Sequence, residues 1–249
     1  MRQGARIAVV VPAYNEARHI AATLASVPSY VDDVVVVDDA STDDTSARAL
    51  AFGDARVRVV RHAHNRGVGG ALKTGYGAAF AAGADAVAVM AGDAQMHADD
   101  LPALLAPVLS GEADYAKGDR LSHAEVRARM PLARWLGNHA LSLLTRLCTG
   151  VRTRDSQCGY TVLGRKAAAR LELDMLWDGY GYPNDLIAAL GRKGLVVRDV
   201  VVRPVYADEV SGIGLRHALI VIPFILARAL ARRVAFWPSA REGTLENVR

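Results

Sequence analysis

The sequence predicts an α/β fold, a mostly parallel sheet wrapped by helices. Two observations carry that expectation. In the first half, short β-branched apolar runs alternate with stretches of helical periodicity, the pattern of strands buried on both faces. Polar residues also gather just past the ends of those runs, where open parallel sheets place their ligand crevice. The chain has 249 residues and is 51% hydrophobic, enough for one large domain with a substantial core.

The runs at residues 7–11, 34–37, 57–60 and 86–90 are read as four strands, with helices expected over 17–26, 42–51 and 71–82 between them. In the second half, residues 115–120 form a strand running into a loop. Residues 121–131 make a polar loop with Arg127 and Arg129. Residues 132–148 form an amphipathic helix, 182–191 another with Pro183 in its tolerant first turn, and 195–202 a strand. The last stretch, 215–237, is mostly apolar and basic, with no acid from Val210 to Arg241. Its uncharged run is far short of the ~20 residues a spanning helix needs, and Pro223 interrupts it. The expectation is an amphipathic helix lying in a membrane interface; the alternative is a helix packed on the domain. The domains are therefore 1–214 and a C-terminal appendage, 215–249.

Charge and cysteine content exclude several classes. A net charge of +4 is mild, and the basic residues of the tail are not interleaved with stacking aromatics, so nucleic-acid binding is not expected. Two cysteines, Cys148 and Cys158, are too few for a disulfide framework and suit a reducing compartment. The start of the chain lacks a signal pattern, which places it in the cytoplasm. The seven histidines show no paired zinc spacing.

Three acidic features could carry chemistry. Asp38 and Asp39 end the second strand and either receive a base or ribose or cap a turn, since Ser41 and Thr42 follow. Asp93 ends the fourth strand after a glycine, with Gln95 two residues on. Oxygen ligands there can hold Mg2+ or Mn2+ together with substrate phosphates; the alternative is a turn. Asp185 sits in a helical pattern, either solvated or functional. The run GVGGALKTG at 67–75 fails both the Walker and the dinucleotide patterns, because Leu72 stands where each needs a glycine. It reads as a tight helix N-terminus near the crevice, with Lys73 exposed or turned towards ligand.

Taken together, VVVPAYNE (9–16), VDDAST (37–42) and MAGDAQM (90–96) resemble the family 2 glycosyltransferases of GT-A fold, a Rossmann-like architecture. Residues 65–75, KGDR (117–120), DSQCGY (155–160) and PVYADEVS (204–211) extend the likeness, closest to the dolichyl- and polyprenyl-phosphate sugar synthases. The resemblance implies that Pro12, Tyr14, Glu16, Asp38 and Asp39 contact the nucleotide, with Lys73 among the nucleotide-sugar contacts. It implies that Asp93 holds the metal and bridges to the donor diphosphate, and that Gln95 adds a contact. Arg120 faces phosphate, Arg134 the acceptor, and Asp185 falls where many members carry an acid near the acceptor. Ala91 replaces the first Asp of the family's DxD motif.

The implied activity is inverting transfer from a UDP- or GDP-sugar to a lipid phosphate, with Mg2+ or Mn2+, by a protein peripheral on the inner face of a membrane. Transfer to a soluble hydroxyl, with Asp185 as base, is the alternative within enzymes. A nucleotide-sugar-binding module without catalysis is the alternative outside them.

Overall fold

The structure is a computed structural model describing residues 4–205 and 220–235. Seven strands form one sheet in the order β3-β2-β1-β4-β6-β5-β7. They are β1 (Ile7–Ala13), β2 (Asp33–Asp38), β3 (Val57–Arg61), β4 (Ala86–Val89), β5 (Tyr115–Asp119), β6 (Thr161–Gly164) and β7 (Val197–Val201). All pairings are parallel except those of β6, which runs antiparallel between β4 and β5. The expected strands are all present. β6 escaped the sequence reading because its four residues, TVLG, give too short a run to stand out. The apolar runs are central: both faces of β1 and β2 are covered, and their valines are inaccessible to solvent.

The first-half helices are α1 (Ile20–Ser26), α2 (Thr45–Ala51), α3 (Gly67–Ala81) and α4 (Leu101–Leu109). α3 starts four residues before the expected boundary, so the glycine-rich run forms its first turn. Those glycines admit another backbone: a Cβ on Gly69 would collide with the Trp177 carbonyl oxygen, and the Gly70 N–H donates to the Asp178 carbonyl at 3.0 Å. The start of the run, Gly67 to Gly70, is thus a packing surface for residues 177–179, while Gly75 lies against Val10 of β1.

The second half holds α5 (Val126–Arg129), α6 (Leu132–Thr149), α7 (Arg165–Ala168), α8 (Tyr182–Arg192) and α9 (Ile222–Ala235). The expected polar loop 121–131 contains α5 and a small core of its own, Leu121, Val126 and Met130 against Trp135.

α6 is polarised the wrong way round for a water-soluble helix. Its buried residues are Asn138, Ser142, Thr145 and Thr149, at helical spacing. Its leucines at 132, 136, 143, 144 and 147 are exposed, Leu132 by 63% and Leu147 by 61%. The inward polar groups join a network. The Asn184 amide donates to Thr145 Oγ1 at 3.0 Å, Gln157 Nε2 donates to Asn184 Oδ1 at 2.8 Å, and the Ser156 N–H donates to Ser142 Oγ at 2.9 Å.

α9 packs against α6 and α8 through Ile222, Ile225, Leu226 and Ala229. Its other side exposes Phe224, Leu230 and Val234, next to exposed Ile220. The packed-helix alternative therefore describes its inner face, and an apolar outer face remains. Among the described residues no helix is long and apolar enough to cross a membrane. The boundary at 214/215, Trp237 and most of the 204–211 motif lie outside the described residues.

Candidate active site

The ends of β1, β2 and β4 lie side by side, so the turns that follow them meet. Asn15, at a left-handed φ of 58°, donates its N–H to Ser41 Oγ at 3.0 Å and accepts the Thr42 N–H at 2.8 Å. The Glu16 N–H donates to Thr45 Oγ1 at 2.8 Å. These bonds lock the turn after β1 onto the turn after β2. Pro12 closes β1, its carbonyl accepting the Gly92 N–H, and Tyr14 stands half-exposed above it.

Asp38 is fully buried beneath this turn. It accepts the Ser41 N–H at 2.8 Å and the Ser46 hydroxyl. Burial alone would raise its carboxyl, but the bonds from Ser41 and Ser46 outweigh it and hold it below the ordinary carboxylate range. Of its two sequence readings, the turn cap describes its contacts. Asp39, also buried, accepts the Arg66 N–H at 2.9 Å, the Gly67 N–H at 2.7 Å and His62 Nδ1 at 2.6 Å. It therefore anchors the N-terminus of α3, where free N–H groups favour a carboxylate. A shallow cleft opens beside it, lined by Ala40, Ser41, Thr42, Arg61 and His62.

Past β4, Gly92 lies against Pro12, Ala13 and Glu16, which brings Asp93 to the mouth of β1. Thr23 pins the turn by donating to the Gly92 carbonyl at 3.0 Å and accepting the Ala94 N–H at 3.1 Å. Asp93 Oδ1 accepts the Gln95 N–H at 3.0 Å; Oδ2 makes no hydrogen bond to a described residue. Burial raises the Asp93 carboxyl above its ordinary value, against the opposing pull of hydrogen bonds and His19. No group of three His, Cys, Asp or Glu able to hold a metal occurs among the described residues. A half-buried carboxylate with an open oxygen, beside the Gln95 amide, fits a cation that takes its other ligands from substrate phosphates.

Arg120, just past β5, meets Asp155 in a two-pronged pair, Nε–Oδ2 at 2.8 Å and Nη2–Oδ1 at 3.1 Å. Burial would raise Asp155, but the Arg120 charge and hydrogen bonds hold it below the ordinary carboxylate range. Behind it, buried Lys117 donates to the Cys158 carbonyl at 2.6 Å, and burial lowers its ammonium below the usual lysine value. Arg134 is half-buried in the first turn of α6.

Two sequence-based placements change. Lys73 is not exposed: its side chain is almost wholly covered. Its ammonium donates to the carbonyls of Asp174 and Leu176 and meets Asp178 at 2.5 Å, so it holds the 174–178 segment on α3. Asp185 is not a solvated helix residue. It is buried under α9, where its Oδ2 accepts the Trp177 N–H at 3.0 Å and meets Arg228 at 3.3 Å. Its Oδ1 has no hydrogen-bond partner. Sequence reasoning missed Asp155 as partner of Arg120, His62 as partner of Asp39, and Arg228 as partner of Asp185. The DSQCGY motif flagged Asp155 without its role; nothing local flagged the others, because the pairs lie 23 to 43 residues apart.

Residues 8–171 match the model of Glycosyl transferase family 2. The chain belongs to this family. It is 30% identical over 200 residues to an undecaprenyl-phosphate mannosyltransferase of Micrococcus luteus, covering 78% of this chain and 82% of that protein. It is 26% identical over 217 residues to a UDP-N-acetylglucosamine–dolichyl-phosphate N-acetylglucosaminyltransferase of Methanococcus voltae, covering 81% and 86%. Among solved structures it resembles glucosyl-3-phosphoglycerate synthase of Mycobacterium tuberculosis bound to UDP, with a TM-score of 0.71 and 25% identity over 92% of this chain and 81% of that one. The same enzyme with Mn2+, UDP and glucosyl-3-phosphoglycerate matches at 0.69 and 26%, with the same coverage. The fold is GT-A and the protein is a glycosyltransferase.

Proposed function

We propose that the protein is an inverting glycosyltransferase that moves a sugar from a UDP- or GDP-sugar to the phosphate of a polyprenyl- or dolichyl-type lipid at a membrane surface. The observation that carries this reading is the inverted polarity of α6 beside the outward apolar side of α9. Leucines facing out over a buried Ser/Thr/Asn stripe suit a helix whose outside is lipid, and α6 starts next to the Arg120 end of the sheet. Two relatives named for lipid-phosphate acceptors support the same direction.

In this reading the nucleotide lies over the turns of Pro12, Tyr14 and Glu16, with the base in the cleft beside Asp39. Asp93 and Gln95 hold Mg2+ or Mn2+ against the donor diphosphate, as the Mn2+ and UDP in the neighbouring enzyme support. The cation would stabilise the charge growing on the departing diphosphate. Arg120, held flat by Asp155, and Arg134 bind the acceptor phosphate. An acceptor oxygen attacks the anomeric carbon from the face opposite the leaving group, the sugar–diphosphate bond breaks, and the nucleoside diphosphate departs. An anionic acceptor needs no proton removed, which agrees with Asp185 lying under α9 in an ion pair. The 215–249 segment then belongs to the membrane-facing part of a peripheral protein.

A soluble acceptor is the second reading, favoured by the phosphoglycerate of the neighbouring enzyme's product. The test supplies a panel of labelled nucleotide sugars with Mn2+ and either vesicles carrying polyprenyl phosphate or 3-phosphoglycerate in solution. Label entering the lipid phase, and stopping with chelator, is expected. Label entering only the soluble acceptor would replace the proposal with the second reading.

A further inference from the structure

A second charged cavity lies away from the sheet ends, where α6 finishes. It encloses about 560 Å³ between the C-terminal turn of α6, the segment leading to Asp155, β7 and the last turn of α9. Four arginines converge on it: Arg146, Arg152, Arg154 and Arg233. The one carboxylate in its wall, Asp199, is already committed, accepting the Thr153 hydroxyl at 2.8 Å and the Arg154 N–H at 2.7 Å. Arg233 is fixed: its Nη1 donates to the Leu147 carbonyl at 2.7 Å, and its guanidinium lies over Gly150, where a Cβ would come within 3.0 Å of it. Arg146 and Arg152 are exposed, and their guanidinium groups make no ion pair or hydrogen bond with any described residue. Nothing in the transfer chemistry uses this cavity.

The guanidinium groups of Arg146 and Arg152 add positive charge beside Arg154 and Arg233, and like charges held close repel, so the cavity suits an anion. Arginine forks match phosphate oxygens two at a time. The cavity's rim points to one source. Leu147 is in its wall and is the last leucine of the outward apolar stripe of α6; Val234, equally exposed, follows Arg233 on α9. An anion that enters here lies level with the apolar surface, as the headgroup of a phospholipid would when its chains lie along α6 and α9.

We propose that this cavity binds the phosphate headgroup of an anionic phospholipid and thereby fixes how the enzyme sits on the membrane. The inference rests on the membrane-surface reading above. Arg146 and Arg152 capture the headgroup, and Arg233 ties the same anchor to the end of α9.

The experiment uses the full chain, sedimented with phosphatidylcholine vesicles containing or lacking phosphatidylglycerol. Four proteins are compared: wild type, Arg146→Lys/Arg152→Lys, Arg146→Gln/Arg152→Gln, and the control Arg48→Gln/Arg58→Gln at the far edge of the sheet. Transfer to a short, water-soluble acceptor phosphate should be equal in all four, which shows that each is folded. Each basic residue near an anionic surface is worth about fivefold in binding, so the glutamine pair should bind phosphatidylglycerol vesicles roughly thirtyfold more weakly. The lysine pair, with charge kept and forks lost, should lose about fivefold or more on the same bidentate argument. The control pair should match wild type.

A lysine pair that binds as wild type does would reduce the cavity to diffuse attraction and overturn the proposal while leaving the membrane reading standing. Saturable binding of inorganic phosphate in solution, lost in the lysine pair while vesicle binding is untouched, would assign the cavity to a soluble anion and overturn the lipid source. Wild type that stays in the supernatant with every vesicle would bring down the membrane reading itself.

Discussion

The proposed donor side and the proposed acceptor side of this sheet are built on opposite rules. At the ends of β1, β2 and β4 the polar groups sit at the strand ends and bond to backbone N–H groups. The apolar valines lie beneath them, wholly inaccessible to solvent. In α6 the polar groups are inside and the leucines outside, and α9 beside it packs inward through Ile222, Ile225 and Leu226 while Phe224, Leu230 and Val234 stay exposed. Water explains the first arrangement: apolar surface is removed from it and charge is presented to it. The second arrangement gains nothing from its leucines in water and would gain from them only where the outer face meets something apolar. In the proposed reading, one chain carries a side suited to a dissolved nucleotide and a side suited to an apolar phase, and the reaction would join the two.

The largest expected effect lies on the donor side. Asp93→Asn should lower turnover by about 10² to 10³, the loss typical of removing one preorganised contact to developing charge. Near-normal turnover at saturating Mn2+ would remove Asp93 from the site. Because burial raises this carboxyl in the metal-free protein, its ionised form is lost on acidification at a pH above the ordinary Asp value of about 3.9, and Mn2+ binding to the free protein should weaken there. The stability sign is opposite. The native state holds this proton more tightly than the unfolded chain, so the Asp93 charge disfavours folding above the unfolded value. The Asn variant should therefore melt at the same temperature as wild type or higher at pH 7.

Next comes the join between the two sides. Asp155→Asn leaves Arg120 facing a neutral group, and breaking such a pair costs about 3 kcal/mol. Arg120 is only 21% exposed, so solvent screens the pair little. The native Asp155 carboxyl is lowered, so its stabilising contribution is complete above the unfolded Asp value and is lost as pH falls through the native one. Denaturant midpoints at pH 7 and pH 3 should differ more for wild type than for the variant. Equal differences would mean that Asp155 has no linked proton. Arg120→Lys should keep most of the stability yet lose acceptor affinity, because a point charge does not replace the fork.

How legible each side was in the sequence follows from the same contrast. The donor side could be read because each strand, its polar end and the next helix are consecutive: VVVPAYNE, VDDAST and MAGDAQM each carry their own turn. The acceptor side could be read only as elements. The periodicity of α6 was visible, and so was its amphipathic character, but a helical wheel does not say which face is inside. That depends on Asn184, Gln157 and Ser156 arriving from elsewhere. The contacts of Lys73 and Asp185 were illegible for the same reason. Each is set by a segment distant in sequence, the 174–178 carbonyls and Arg228 respectively.

A smaller effect separates two glycines of one helix. At Gly69 an added methyl meets the Trp177 carbonyl, a backbone atom that has to move, while at Gly77 it meets nothing within 4 Å. Gly69→Ala should cost about 2 kcal/mol through overpacking, despite the better helix propensity of alanine. Gly77→Ala should gain up to about 1 kcal/mol, because propensity acts there unopposed. Melting temperatures that move in the same direction would show that residues 177–179 do not bear on α3 as tightly as the geometry places them.

The smallest effect on stability tests the comparison most directly. Leu143 and Leu147 point out of α6 and are 49% and 61% exposed. In an ordinary soluble protein, changing a leucine that anchors a helix to serine destabilises it, because the leucine face is the buried one. Here Leu143→Ser/Leu147→Ser should shift the unfolding free energy by no more than about 0.5 kcal/mol per site, as surface changes do. The same variant should weaken sedimentation with vesicles by about a hundredfold or more if both side chains are fully covered there, since each gives up roughly 1.5 to 3 kcal/mol of burial. Stability and vesicle binding are then decoupled: one is set by the serine and threonine stripe inside α6, the other by the leucines outside. A large loss of stability would show that a part of the protein in solution covers these leucines. Unchanged vesicle binding would show that the apolar face of α6 is not what meets the lipid.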